Sequence, residues 1–423
     1  MASVWRIQMK SDTRGKEPTM TKLKKALYAA KTLTTRGRDV VSRSNDGRPD
    51  IKLSAPVTED EYAAGHRLGE RQMSEDIKSD RRLFLRNAAM TIAAAPLGMI
   101  GFAEAQSSKK PADLPTIKPG TNPSFASLKQ IDASLLNVGY AEAGPTHGPA
   151  VILLHGWPYD IHSYVDVAPL LASAGYRVIV PYQRGFGTTR FLSSQTFRNS
   201  QQAVLAVDVI ALMDALKIEK AIIGGYDLGS RTAAIVAALW PERCKALVSV
   251  SGYLITNLKF WNAQTGQPLP PKTELGWWYQ YYFSTERGRA GYEKYRHDFN
   301  KLIWTIASPK WSFDDATYDR TAASFDNPDH VDIVIHNYRW RQSLAAGEPQ
   351  YDDRERRLAE APVIAVPTIT IASDFDGAAA DGTAYRKQFS GKYSHRIFKG
   401  IGHNVPQEAP KDFAKAVVEV AGY

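Results

Sequence analysis

The sequence of 423 residues contains one cysteine, Cys244, which excludes an internal disulfide framework. It has no His/Cys cluster at metal-ligand spacing, no phosphate-cradling glycine loop and no dinucleotide fingerprint, so no cofactor or metal is expected. Long hydrophobic runs are also missing. The most apolar segment, 88–102, is short for a membrane span and has no charged stop on its far side. A stable span in the mature chain is therefore not expected. Charge of one sign is scarce in the body. The net +9 resides mainly in residues 1–72, with 15 Lys+Arg against 9 Asp+Glu, whereas 106–423 carry 34 against 31. Nothing in the body calls for nucleic acid. What is present is a hydrophobic fraction of 43%, enough for a sizeable core.

Residues 1–72 are polar, mixed in charge and low in periodicity. They read as disordered or as an over-extended reading frame ahead of Met73. Residues 73–105 hold Arg81-Arg82, an apolar run over 88–102 and Ala103-Glu104-Ala105. Paired arginines, a modest apolar segment and a small-x-small site resemble a twin-arginine export signal. The resemblance implies a periplasmic or secreted protein, the twin-arginine export machinery as a partner, and a mature chain starting near Gln106. Residues 106–127, rich in Pro, Ser and Lys, read as a leader before the folded domain.

The body is organised around Gly224-Gly225-Tyr226-Asp227-Leu228-Gly229. An apolar run over 221–223 reads as a buried strand, and 228–239 as an alanine-rich helix closed by Pro241. A strand, a sharp turn and a helix with small residues around one reactive side chain make a nucleophile elbow. Here the side chain is a carboxylate. The alternative is an ordinary junction with Asp227 as helix N-cap, a frequent use of Asp.

Strands expected at 151–154, 176–181, 221–223, 245–251, 366–371 and 394–398 alternate with helices at 165–174, 201–216 (amphipathic) and 228–239, behind a first hairpin over 128–142. That alternation predicts a mostly parallel, doubly wound α/β sheet. The core is expected over 128–252 and 363–423. Between them, 253–362 loses its strand signals and fills with aromatics such as Trp261, Trp277, Trp278 and Trp311. It predicts a cap of short helices over the carboxyl edge of the sheet, where open α/β sheets bind ligands. For most of these rings the simpler role is the cap's own small core.

His155-Gly156-Trp157-Pro158 follows the 151–154 strand, and Gly400-Ile401-Gly402-His403-Asn404-Val405-Pro406-Gln407-Glu408 opens the last helix. The chain order of nucleophile, acid and histidine is that of the α/β-hydrolase triad. With these motifs, 128–423 resembles the α/β-hydrolases, and among them the epoxide hydrolases and haloalkane dehalogenases, whose nucleophile is Asp. The resemblance implies an α/β-hydrolase fold with the cap inserted after the sixth strand. It implies that Asp227 attacks carbon to give an alkyl-enzyme ester, and that His403, backed by Asp376 (or Asp374), activates water. Trp157 and Leu228 would supply the oxyanion-hole N–H groups. Tyr279, in Tyr279-Gln280-Tyr281-Tyr282-Phe283, and Tyr338, in Asn337-Tyr338-Arg339, are similar to the lid tyrosines that protonate an epoxide oxygen.

Two departures stand out. Leu228 replaces the Trp common after the nucleophile, and Gln183 stands where an Asp usually precedes Arg-Gly-x-Gly. Fluoroacetate-type dehalogenases place arginines one and four residues after the nucleophile, and Arg231 matches only the second. The leading expectation is an epoxide hydrolase acting on a small apolar substrate with water. A dehalogenase with the same triad, in which Trp157 serves half a halide cradle, and a catalytically idle binding scaffold are the competitors. Oligomeric state is not legible.

Overall fold

The computed structural model describes residues 7–9, 40–42, 51–53, 114–256, 270–376 and 381–423. The first three stretches form a small antiparallel sheet of their own, with Ile51–Leu53 in the middle. The twin-arginine signal expected over 73–105 lies outside the described residues.

From residue 114 onward the chain builds a nine-stranded sheet. Strand β1 (Leu128–Ala133) and β2 (Leu136–Ala143) form the expected hairpin. Next come β3 (Ala150–Leu154), helix α1 (Val167–Ser173) and β4 (Arg177–Pro181). Helix α2 (Gln202–Ala215), β5 (Ala221–Gly225), α3 (Leu228–Leu239) and β6 (Cys244–Val250) follow. After the cap, β7 (Thr368–Ser373) and β8 (Tyr393–Phe398) complete the main path. Its order is β8-β7-β6-β5-β3-β4-β2-β1, and the two-residue strand Arg190–Phe191 pairs with β2. Pairings from β4 through β8 are parallel, and those of β2 are antiparallel. The central strands are buried along their whole length, as the apolar runs of a sheet covered on both faces require. This is the α/β-hydrolase fold.

The order reverses between β3 and β5, which lie side by side with Leu154 opposite Gly225. The carboxyl ends of two strands that diverge in topology leave a crevice. The His155-Gly156-Trp157-Pro158 turn and Asp227 both open into this region.

Two elements differ from expectation. Helix α2 is not amphipathic: Ala203, Val204, Leu205, Ala206, Val209, Leu212 and Met213 are buried around much of its circumference. Glu355 crosses its N-terminus, accepting from Ala203 N–H (2.9 Å) and Gln202 Nε2 (3.1 Å), so the helix packs beneath another layer as well as on the sheet. The cap is also not made only of short helices. Beside α4 (Pro271–Gly276), α5 (Trp278–Phe283), α7 (Asp315–Ala322), α8 (His330–Arg341) and α9 (Asp352–Ala359) it holds α6 (Glu286–Ala307), 22 residues long with non-helical torsions at Tyr295. Tyr292, Asn300, Ile303, Trp304 and Ala307 form its buried face at helical spacing. Among the described residues no helix is long and apolar enough to cross a membrane.

The described part of 106–127 docks on the body. Leu114 is buried in the core, and Asp166 accepts hydrogen bonds from the N–H groups of Gly120 (2.6 Å) and Asn122 (2.9 Å).

Candidate active site

Asp227 joins β5 to α3 with φ +52° and ψ −124°, a conformation costing a non-glycine residue about 1–3 kcal/mol and typical of functional turns. Its side chain makes no capping bond to α3, which removes the N-cap explanation. The turn closes this tightly because its neighbours lack side chains. A Cβ on Gly229 would lie 2.0 Å from the Leu154 carbonyl oxygen, and one on Gly156 would lie 2.5 Å from Asp227 Cβ.

The carboxylate is gripped from two directions. Trp157 N–H donates to Oδ1 (2.9 Å), and His403 Nε2 lies 3.4 Å from Oδ2. Burial raises the carboxyl pKa. Hydrogen bonding and charge from His403, with the N–H groups of Trp157 and Leu228, outweigh it and bring the group from 3.8 down to about 2. The side chain retains 32% of its exposure, although it is set deep in the molecule.

His403 comes from the far end of the chain. Its N–H donates to Ser308 Oγ (2.9 Å) at the end of α6, and Ser308 donates to Glu408 Oε1 (2.7 Å). Glu408 also accepts from Gly402 N–H (2.7 Å) and Asn404 N–H (3.1 Å), so one buried carboxylate pins the whole histidine loop. Neither acid expected to back it is hydrogen-bonded to it. Asp376 accepts from Ser373 N–H (2.8 Å), and Asp374 is bonded to Lys310 (2.5 Å) and Gly400 N–H (3.1 Å). His403 Nδ1 is buried with no hydrogen-bond partner among the described residues, and the ring of Phe375 packs on its imidazole at 4.1 Å.

The cap completes the other wall. Tyr279 and Tyr338 stand edge to face, 5.6 Å between ring centres, and each lies 5.3 Å from the Trp157 ring. Burial, then the negative charge of Asp227, pushes the Tyr279 phenol up to about 12. Burial, then Tyr279 and Asp227, carries Tyr338 well above the ordinary phenol range. Both are therefore protonated donors at neutral pH.

Helix α6 is bonded to the His155–Pro158 turn. Trp304 Nε1 donates to the Pro158 carbonyl (2.7 Å), and the Trp157 indole N–H donates to Tyr292 Oη (2.9 Å). Tyr292 in turn meets His330 Nε2 (2.9 Å), whose Nδ1 lies 2.9 Å from the Gly185 carbonyl. Burial drives His330 down to about 3. It is neutral, with Nδ1–H donating and Nε2 accepting, which fixes the Tyr292 hydroxyl as acceptor from Trp157. The Trp157 indole is thus already committed and does not offer its N–H to a halide.

Sequence reasoning named Asp227, His403, Trp157, Leu228 and the tyrosine pair, which the structure brings close together. It missed Ser308, Tyr292 and the bracing role of Glu408. Only Glu408 carried a local signal, as the acid five residues after His403 in the same loop.

A family described as "alpha/beta hydrolase fold" matches residues 149–291. Among solved structures, a candidate epoxide hydrolase from Klebsiella pneumoniae is 55% identical, with a TM-score of 0.67 over 70% of this chain and 98% of that one. Another candidate epoxide hydrolase, from Pseudomonas aeruginosa, is 20% identical with a TM-score of 0.57 over 70% and 97% of the two chains, a likeness of fold alone. Epoxide hydrolase B of Mycobacterium tuberculosis is 33% identical over 150 residues, 33% of this chain and 41% of that protein. Epoxide hydrolase 2 of Siraitia grosvenorii is 34% identical over 125 residues, 30% and 38% respectively. The chain therefore aligns with about two-fifths of the length of these curated relatives. Elbow, histidine loop, sheet order and a solved relative of more than half identity agree: the chain belongs to the α/β-hydrolase family and is an enzyme of that family.

Proposed function

We propose that the protein opens a small epoxide to a diol through an ester on Asp227. The observation carrying this reading is the placement of the Asp227 carboxylate between the Trp157 N–H and His403 Nε2, beneath two protonated phenols. Oδ2 attacks the ring carbon while Tyr279 and Tyr338 give a hydrogen bond and then a proton to the departing oxygen. Oδ1, already facing N–H groups, becomes the ester carbonyl and then the oxyanion as water adds to Cγ. His403 takes the proton from that water. The acid expected to steady the imidazole is Asp376, which matches the family-like pattern, with Asp374 as the substitute; Asp376 accepts from Ser373 N–H and Asp374 from Lys310 and Gly400 N–H, and neither is bonded to His403 Nδ1. The epoxide hydrolases among the relatives support the substrate class.

Incubating the purified protein with styrene oxide, and separately with haloalkanes and haloacetates, tests the proposal. Diol release is expected. Halide without diol would replace it with the dehalogenase reading, which the committed indole of Trp157 disfavours. If no substrate leaves a mass adduct on Asp227 in His403→Gln protein, the idle scaffold is favoured. We further propose export to the periplasm by the twin-arginine route, supported by Arg81-Arg82 and the apolar run behind them. N-terminal sequencing of the secreted chain should then begin near Gln106.

A further inference from the structure

The proposed cycle asks for a negative charge beside His403 when Asp227 cannot supply one. As a carboxylate, Asp227 holds Oδ2 3.4 Å from His403 Nε2. As an ester it is neutral. In that state the water oxygen bonds to Cγ and its proton goes to Nε2, so the imidazole gains a charge after its partner has lost one. When the Cγ–Oδ2 bond breaks, Oδ2 leaves in the diol with the bonding pair and recovers that proton. Between these events a buried imidazolium needs another anion.

Besides Asp227, the titratable groups about the ring are Tyr159, Tyr226, the acids of the 374–376 turn, and Glu408 of the histidine's own loop. Tyr159 and Tyr226 stand 5.8 and 5.9 Å from it, ring centre to ring centre. Burial lifts both phenols well above their ordinary range, so they stay neutral. The Asp374 side chain is 38% exposed and paired with Lys310, and Asp376 turns back to Ser373 N–H. Glu408 is different, at 9% exposed. Its Oε2 accepts from Gly402 N–H (2.7 Å), and its Oε1 from Asn404 N–H (3.1 Å) and Ser308 Oγ (2.7 Å). Gly402 and Asn404 flank His403, and Ser308 Oγ accepts from the His403 N–H (2.9 Å). The carboxylate is thus tied to the backbone on both sides of the histidine and, through Ser308, to the histidine itself. Each of these partners is a donor, the pattern that suits an ionised carboxylate. Burial raises the Glu408 carboxyl, and the donors at Gly402, Ser308 and Asn404, with the charge of His403, oppose that. A charge in protein surroundings acts with roughly fourfold the force it has in bulk water. Resting on the ester mechanism above, we infer that Glu408 is a positioning residue whose buried charge holds the His403 imidazolium while the ester is hydrolysed. The 374–376 turn is then left with orienting the ring.

Two readouts on the purified full chain separate charge from bracing. Quenched single turnovers of styrene oxide resolve ester formation from ester hydrolysis by the mass of Asp227 peptides. NMR of histidine-labelled protein follows the imidazole titration, with His403→Gln identifying the signal. Glu408→Gln should slow ester hydrolysis at least tenfold more than ester formation. It should also move the titration midpoint down by at least half a pH unit, because losing a nearby anion disfavours the cation. Ser308→Ala, which loosens the loop but leaves the charge, should move the midpoint by less than that. Glu408→Asp should restore most of the hydrolysis lost in Glu408→Gln. Equal slowing of both steps, or an unmoved midpoint in Glu408→Gln, would overturn the inference and leave Glu408 as a brace alone. If Glu408→Gln does not fold, the double variant Asp374→Asn/Asp376→Asn decides: a midpoint drop below half a unit supports Glu408, and a larger drop hands the role to the turn acids. If no substrate esterifies Asp227, the epoxide reading fails separately, and the titration still judges Glu408.

Discussion

The core half and the cap half of the site are held by different means. On the core side, Asp227 and His403 are fixed largely through backbone: a strained φ at Asp227, an N–H from Trp157, and a histidine loop pinned through Ser308 and Glu408. On the cap side, Tyr279 and Tyr338 are placed by rings packed on rings. Backbone geometry tolerates no intermediate positions, whereas stacked aromatic side chains can shift by fractions of an ångström. The core half should therefore respond to mutation in an all-or-none manner, and the cap half by degrees.

The largest effect should come from Asp227→Asn, with diol formation falling by roughly 10⁴-fold or more. His403→Gln should instead stall at an ester, seen as a mass increment on Asp227. A Tyr338→Phe variant as inactive as Asp227→Asn would break the contrast between halves. Tyr279→Phe and Tyr338→Phe should each lower kcat/KM by about 10–100-fold, and more together, within the usual range for a general acid.

Asp376→Asn should cost on the order of tenfold and Asp374→Asn less, compared by steady-state kinetics. The opposite ranking would move the triad acid to Asp374. Glu408→Gln should cost about 1–3 kcal/mol of stability in chemical unfolding, since it weakens a buried charge that accepts from Ser308 and two backbone N–H groups. No acid limb from Asp227 is expected near neutrality. Its folded pKa of about 2 lies below the ordinary 3.8, so the stability it contributes is present above that value and lost only as pH falls towards 2.

The same contrast explains what was legible. Strands over 150–154, 221–225 and 244–250 could be read because continuous apolar runs are long-range information written locally. The elbow was readable for a related reason, since the tight approaches at Gly156 and Gly229 permit few residue types. The histidine loop carried glycines and a proline around one imidazole. The cap tyrosines were found by resemblance, as nothing in their spacing announces that residues 279 and 338 meet. Ser308 and Tyr292 were invisible because each bonds a partner at least 95 positions away in sequence. Proximity of Asp376 to His403 was expected from order along the chain, but order does not set side-chain direction, and that carboxylate turns back to Ser373. Helix α2 misled because a helix covered on several sides keeps no polar stripe.

The fastening of residues 114–122 has a practical consequence. Leu114 sits in the core, Lys411 reaches Thr116 (2.7 Å), and Asp166 holds Gly120 and Asn122. Shortened versions of the protein should keep everything from residue 114 onward. A start at the first hairpin strand would take Leu114 out of the core, remove the bond from Lys411 of α10 (Pro410–Val420) to Thr116, and leave the Asp166 carboxylate without its Gly120 and Asn122 donors.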